Sequence, residues 1–318
     1  MPKILLDDKS WVQLDKLVEK MDGSGQNISC HLEGMVHSRF LTYWDYIQLD
    51  VLLHLQQPQT NFPDEKVFII YHQITELYFK LILNEIDILS LREKLTGDEV
   101  LDRMRRINRY MENLVHSFTI MVDGLDNDEF MLFRTSLAPA SGFQSLQYRL
   151  IEIYSTSLRN LVDPELRHLG QEGLNIDYER IYWKKGAIDR ATGKKDLSLV
   201  RFEQEYDEML MDRAIKRQRC NLNYRYGQMD REEGPNPELV YELRKFDELM
   251  NVDWRLAHYR SAVRHLRARA DAVKGTGGTN WQTYLPPRFQ RVIFFPDLWT
   301  PAEIGGWGKS FIEKHILQ

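Results

Sequence analysis

Cysteine is almost missing from this chain of 318 residues: Cys30 and Cys220 are the only two, far apart and outside any Cys-x-x-Cys pattern. Neither a cysteine zinc cage nor a thioether-linked cofactor is indicated, so any cofactor is held without covalent sulfur. No apolar run approaches the ~20 residues that cross a bilayer, and the first residues lack the apolar stretch of a secretory signal. The expectation is a soluble, cytoplasmic protein. Charge of one sign is also lacking, since 42 Lys and Arg stand against 47 Asp and Glu for a net charge of -5. Basic runs are scattered among acidic helices, which makes nucleic acid a poor partner. Internal repeats and low-complexity tracts are missing. The only β-like run is Val292-Ile293-Phe294-Phe295.

The missing motifs narrow the chemistry. Gly-x-x-x-x-Gly-Lys-Ser/Thr does not occur and no strand precedes the loop Gly275-Thr276-Gly277-Gly278, which excludes a Walker phosphate loop. The Gly-x-Ser-x-Gly elbow of a serine hydrolase and the His-Glu-x-x-His helix of a zinc protease are missing as well.

What the chain does have is helical periodicity. With 43% hydrophobic and 28% charged residues it has ample material for a sizeable core. Apolar steps of three and four residues recur through most of its length, so the fold class is all-α, a large helical bundle-like domain spanning 1–318. Residues 1–36 read as an N-terminal arm of the kind that reaches a partner subunit, and residues 158–235 as a polar, variable helical insertion. From Phe40 onward, Tyr43, Tyr46 and Ile47 share one helical face, a pattern more often core than ligand wall. The stretch 56–63 breaks the helix, and 64–91 is apolar on several sides and belongs at the centre. Thr96-Gly97-Asp98 starts a packing helix with a stripe from Leu101 to Met121. Asn236-Pro237 is a cap with proline in the first turn, opening the helices that lead to Trp254-Arg255-Leu256-Ala257-His258.

Three polar residues sit where apolar ones are the rule. His258 lies beside the apolar stripe of its helix and is either a satisfied core histidine or a metal ligand. Phe68, His72 and Glu76 follow in four-residue steps on one face, and a structural His–Glu hydrogen bond competes with a metal site there. Arg134 sits among apolar neighbours and either pairs with a protein acid, the simpler reading, or grips a ligand carboxylate with its planar fork. One histidine on a helical scaffold, facing an aromatic pocket with a second histidine, suits noncovalent heme. The glycine loop can fold over a ligand and aim backbone N–H groups at an anion.

Five segments in order carry a resemblance: Leu41-Thr42-Tyr43-Trp44-Asp45-Tyr46, Phe68-Ile69-Ile70-Tyr71-His72-Gln73-Ile74-Thr75-Glu76-Leu77, Ser141 to Arg149, Trp254 to His258, and Lys274 to Gly278. The chain resembles the tryptophan 2,3-dioxygenase family. That resemblance implies a b-type heme, active in the ferrous form with O2 as co-substrate, its iron held by His258. It implies His72 as the catalytic residue on the open face, hydrogen-bonded to an indole N–H, and Arg134 on the amino acid carboxylate. Thr276 would contact the ammonium from a lid at 274–281. Phe68, Ile69, Ile70, Tyr71, Phe130, Leu137, Ser141 and Gly142 would line the substrate site. Tyr43, Tyr46 and Ile47 would enter it from a neighbour in a homotetramer. The implied reaction opens the pyrrole ring of L-tryptophan to N-formylkynurenine. A related oxygenase acting on a substituted indole or phenol, or a heme-binding sensor, is the alternative. Phe130 stands where some relatives carry tyrosine, and the spacing from His258 to Thr276 exceeds the family pattern.

Overall fold

The computed structural model describes residues 6–25, 27–138, 140–169, 173–188, 192–266 and 291–308. Thr276 and the lid at 274–281 lie outside the described residues. The chain divides into two units, Met1–Leu55 and Gln56–Gln318, each of which is taken by itself.

The first unit carries α1 (Asp8–Gly23), α2 (Ile28–His37), α3 (Tyr43–Tyr46) and α4 (Leu49–Leu52). Tyr43, Tyr46 and Ile47 share one helical turn, and the helix ends just beyond them, because Gln48 adopts φ +53° and starts a new turn. A left-handed non-glycine residue stops an α-helix and resets its direction. These aromatics are not core either: Tyr43 is 71% and Tyr46 75% exposed, and α2 buries no residue.

The second unit is built around α5 (Pro63–Leu91), within one residue of the helix read from the sequence. Pro63 fits the first turn because no N–H is needed there, and the fully buried Glu65 folds back to accept from the backbone N–H of Gln59 and Thr60, both at 2.7 Å. Ile82, Ile86 and Phe79 bury one side of α5 almost completely. Packed along it is α6 (Gly97–Ser117), which opens with a reciprocal Thr96–Glu99 capping box. The packing stripe expected to run on to Met121 is split by Phe118 into α6 and α7 (Thr119–Asp123). Then come α8 (Asn127–Phe133), a 3-10 turn Arg134–Leu137, and α9 (Leu146–Ser155) on the other side of α5.

After α10 (Leu158–Leu161), α11 (Leu174–Glu179) and α12 (Tyr182–Gly186) come α13 (Leu197–Arg217) and α14 (Leu222–Glu233). These residues read as a polar insertion, yet Tyr178, Tyr182, Trp183, Phe202 and Leu210 are buried in the main core cluster. Their polarity is spent inside: buried Lys184 reaches Asp207 at 2.7 Å, Glu179 at 3.1 Å and Glu203 at 3.3 Å. Charges grouped so closely satisfy one another and allow the segment to pack.

The last rod is continuous: α15 (Pro237–Glu248), a π-helical turn Leu249–Asp253, and α16 (Trp254–Leu266). Asn236 caps it, accepting from the N–H groups of Glu238 and Leu239. On α15 the fully buried carboxylate of Asp247 accepts from the N–H of Phe294 at 2.8 Å, of Phe295 at 3.1 Å, and from Trp299 Nε1 at 3.1 Å and Asn251 Nδ2 at 2.8 Å. Through these bonds the extended run from Val292 to Phe295 is fastened to the rod. There Phe294 and Phe295 give their backbone donors to a side chain. Among the described residues the only strand-like pairings are the bridges Val162–Ile181 and Ile188–Lys195, so the fold is all-α.

Candidate active site

α5, α8, α9, α12 and α16 enclose a cavity of about 570 Å³, within the ~300–1,000 Å³ usual for small-molecule and cofactor sites. Helical phase explains who faces it. On α5 the lining residues are Phe68, Tyr71, His72, Thr75, Glu76 and Phe79, and on α16 they are Trp254, Arg255, His258, Ser261, Ala262 and His265. Each set advances by three or four residues, the repeat of one helical face. The π-helical turn before Trp254 changes the rod's phase, letting α15 present Phe246 to the core while α16 presents His258 to the cavity.

The three cavity histidines differ in what the protein does with them. His265 is buried with both ring nitrogens engaged, Nε2 donating to Met121 O at 2.6 Å and Nδ1 lying 3.0 Å from Asn127 Oδ1. It is a structural residue. His72 uses one nitrogen: Nδ1 meets Phe68 O at 2.7 Å, and since a carbonyl can only accept, Nδ1 carries the proton and Nε2 keeps its lone pair. The ring of His258 makes no hydrogen bond among the described residues and touches the Phe118 ring, centroids 5.7 Å apart. Burial pushes His72 below the ordinary histidine value, against the opposing pull of Phe68 O and Glu76. Burial, helped by nearby His72, pushes His258 down to about 4. Both rings expose surface, but it is surface of the cavity, walled by Phe68, Phe118 and Phe130, where a charged imidazole is poorly hydrated. Both are therefore neutral at physiological pH, the state in which imidazole ligates a metal or accepts a proton.

The sequence-derived residues separate clearly. Phe68, Tyr71, His72, Phe130, Leu137, Ser141, Gly142 and His258 line the one cavity. Phe130 stacks near Phe68, Phe133 and His265, with centroids 6.0, 5.5 and 4.9 Å apart. A Cβ on Gly142 would stand 3.6 Å from His258 Cε1, an ordinary van der Waals distance, so Gly142 lies directly beside that imidazole. Arg134 is buried on the 3-10 turn between Phe130 and Leu137 but does not itself line the cavity. Ile69 and Ile70 lie on α5 off the lining stripe. Tyr43, Tyr46 and Ile47 belong to the first unit.

The sequence reading passed over Arg149 and Arg255. Both are buried, both line the cavity, and both converge on Glu152 and the hydroxyl of Tyr182. The signal was available, since each guanidinium sits in an apolar helix directly after an aromatic residue, in Tyr148-Arg149 and Trp254-Arg255.

Two neutral histidines on an aromatic-walled cavity, one with a free lone pair and one with its whole ring unclaimed, can hold a metal-centred cofactor and a flat aromatic ligand together. The family model described as tryptophan 2,3-dioxygenase matches residues 31–161. A tryptophan 2,3-dioxygenase of Pseudomonas fluorescens is 31% identical over 275 residues, covering 82% of this chain and 89% of the relative. The chain belongs to the tryptophan 2,3-dioxygenase family. Another relative of that name, from Herpetosiphon aurantiacus, is 31% identical over 277 residues, covering 82% of this chain and 97% of its own length. One from a Polaromonas species is 28% identical over 278 residues. The family model's span of 31–161 includes α5, α8, α9 and hence Phe68, His72, Arg134 and Gly142; α16 with His258 lies beyond it.

Proposed function

We propose that this protein is a heme-dependent dioxygenase that opens the indole pyrrole ring of L-tryptophan with O2 to give N-formylkynurenine. The observation that carries the proposal is the unclaimed, neutral imidazole of His258 on the same cavity as His72. A b-type heme fits the donors present: a neutral imidazole facing open space, and an aromatic wall. His258 would hold the iron. When bound in its ferrous form, the heme supplies the binding and activation of O2.

The chain's own residues would do the rest. His72 offers Nε2 as an acceptor for the indole N–H, and its bond to Phe68 O holds the tautomer that makes this acceptor available. Phe68, Phe130 and Leu137 form the apolar wall against which the indole is oriented and from which water is excluded. Positioning of this kind supplies a large share of the rate when both reactants are held together. We assign the amino acid carboxylate to Arg134, whose turn also carries Leu137 on the cavity wall. Both oxygen atoms enter the product across C2–C3, so no external reductant is consumed per turnover.

The first unit supports a homotetramer in which Tyr43, Tyr46 and Ile47 reach a neighbour's site. Phe40 is 97% exposed, and Leu41, Trp44 and Val36 are exposed with it. Apolar surface so concentrated marks an interface. No helix of the described residues is long and apolar enough to cross a membrane.

The test is to load the protein with heme, reduce it without air, add L-tryptophan and then O2, and weigh the product. A product heavier than tryptophan by two oxygen atoms, together with a Soret band lost in His258→Ala, is the expected result. Incorporation of one oxygen or none, or an unaltered Soret band in that variant, refutes the assignment.

A further inference from the structure

Four rings stand in a row along one side of the cavity: His72 and Phe68 of α5, Phe130 of α8 and His265 of α16, with centroids 4.1, 6.0 and 4.9 Å apart in that order. Both ends of the row are fixed by hydrogen bonds. His72 Nδ1 donates to Phe68 O at 2.7 Å. At the other end His265 Nε2 donates to Met121 O of α7 at 2.6 Å, and Nδ1 lies 3.0 Å from the side-chain amide of Asn127, the first residue of α8. The two phenyl rings between them have no polar group of their own. Both rest on the fully buried Phe133, at centroid distances of 5.9 and 5.5 Å.

Where Phe130 stands depends on where α8 stands. With seven residues, α8 is too short to be stable without tertiary support. Its start is tied on two sides. Towards α5, the Asp126 N–H donates to Asp64 Oδ2 at 2.5 Å and Glu129 Oε2 accepts from the Asp64 N–H at 3.1 Å. The first of these bonds is exposed and the second half-buried, so water competes for both. Towards α16 the tie is His265, at 3% exposure, which bridges the backbone carbonyl of buried Met121 and the first turn of α8. A hydrogen bond in an apolar interior is stronger than one in water, and losing this one leaves Met121 O unmatched. His265 is therefore the stiffer of the two ties, and its ring packs on Phe130, three residues beyond Asn127 on α8.

We propose that His265 is a positioning residue that sets substrate specificity: by tying α16 to the first turn of α8, it holds the Phe130 ring as the wall that limits how large an aromatic side chain the cavity admits. The inference rests on the reading of the cavity as the tryptophan site, in which the indole N–H meets His72 and the ring lies along Phe68 and Phe130. His265 acts through Phe130 and takes no part in the chemistry. A methyl group added to the benzene ring of the indole has to displace Phe130, and α8 with it.

The experiment compares L-tryptophan with L-tryptophans methylated on the benzene ring, by equilibrium dialysis against hemin-loaded wild type, His265→Phe and His265→Gln. Phenylalanine keeps a ring against Phe130 but neither hydrogen bond, whereas glutamine gives up the ring and keeps a donor and an acceptor. Wild type should bind tryptophan at least about tenfold more tightly than the poorest methylated ligand, the scale of one misfitting methyl in a packed pocket. His265→Phe should bring that ratio towards unity with the Soret band unchanged, and His265→Gln should keep it closer to the wild-type value. A general loss of stability weakens every ligand alike and leaves the ratio where it was. A wild-type ratio in folded His265→Phe, an equal collapse in both variants, or no preference in wild type overturns the inference. Should His265→Phe fail to fold, Asn127→Ala cuts the tie from the α8 side and the ratio should fall; a wild-type ratio there overturns the inference equally. Failure of wild type to bind L-tryptophan at all overturns the reading beneath it, an outcome visible before any variant is made.

Discussion

Nδ1 of His72 donates to the carbonyl oxygen of Phe68, one turn earlier on α5, at 2.7 Å. One backbone oxygen thus decides which nitrogen faces the cavity and in which protonation state. His72→Ala removes the acceptor while leaving His258 untouched. The expected result is a normal Soret band with kcat lowered by about a hundredfold, the usual scale for a positioned proton-handling group. Steady-state kinetics beside absorbance spectra check it, and wild-type kcat in the variant would remove His72 from the mechanism.

Arg134→Ala should raise KM for L-tryptophan by about ten- to a hundredfold, because a carboxylate then enters a dry pocket without its partner. Heme uptake should not change. Saturation curves for L-tryptophan and for an indole lacking the carboxylate separate the cases: only the amino acid should lose affinity. Equal loss for both would make Arg134 a packing residue.

Stability without heme should depend on pH in a defined direction. Unfolded, His72 and His258 titrate near ~6.5; folded, burial pushes both lower, His258 to about 4. Between those values the unfolded chain binds protons that the folded chain refuses, so stability falls as pH drops from about 6.5 towards 4 and is independent of these groups above that range. Thermal midpoints measured across the range should show this fall. His258→Gln should flatten it, and an unaltered slope in that variant would mean the ring is freely hydrated.

Asp247→Asn places an NH2 where donors from Phe294, Phe295, Trp299 and Asn251 already converge. Burial raises the Asp247 pKa to about 6 despite these four bonds, so the carboxylate is the form present at neutral pH. The variant should lose about 3 kcal/mol, the scale of leaving buried donors unmatched, and hydrogen exchange at the Phe294 and Phe295 amides should accelerate. Unchanged exchange would show that apolar packing alone holds the segment.

Much of this molecule was readable from spacing alone. α5 matched its expected bounds within a residue because Pro63 and the break at 56–63 mark its start and its apolar surface carries through to Leu91. The Phe68–His72–Glu76 face and the placement of His258 beside an apolar stripe followed from the same repeat. Three things were not readable. Gln48 enters the left-handed region without the glycine that normally announces it. Residues 158–235 look polar, but Lys184 pairs with Asp207 and Glu203 in space, a relation between α12 and α13 that no local window contains. The Arg149–Glu152–Arg255 cluster likewise joins helices about a hundred residues apart, and only the fold makes their charges a single group.

The π-helical turn Leu249–Asp253 has one last consequence. Each residue added to or taken from a helix rotates everything beyond it by roughly 100°. The rod therefore works like a shaft with two cams set at different angles, one seating Phe246 in the core and the other aiming His258 at the cavity. Drift in side-chain identity is tolerable along such a shaft, but a change in its length between the two cams is not. Insertions and deletions should accumulate in its loops and spare the five residues in between.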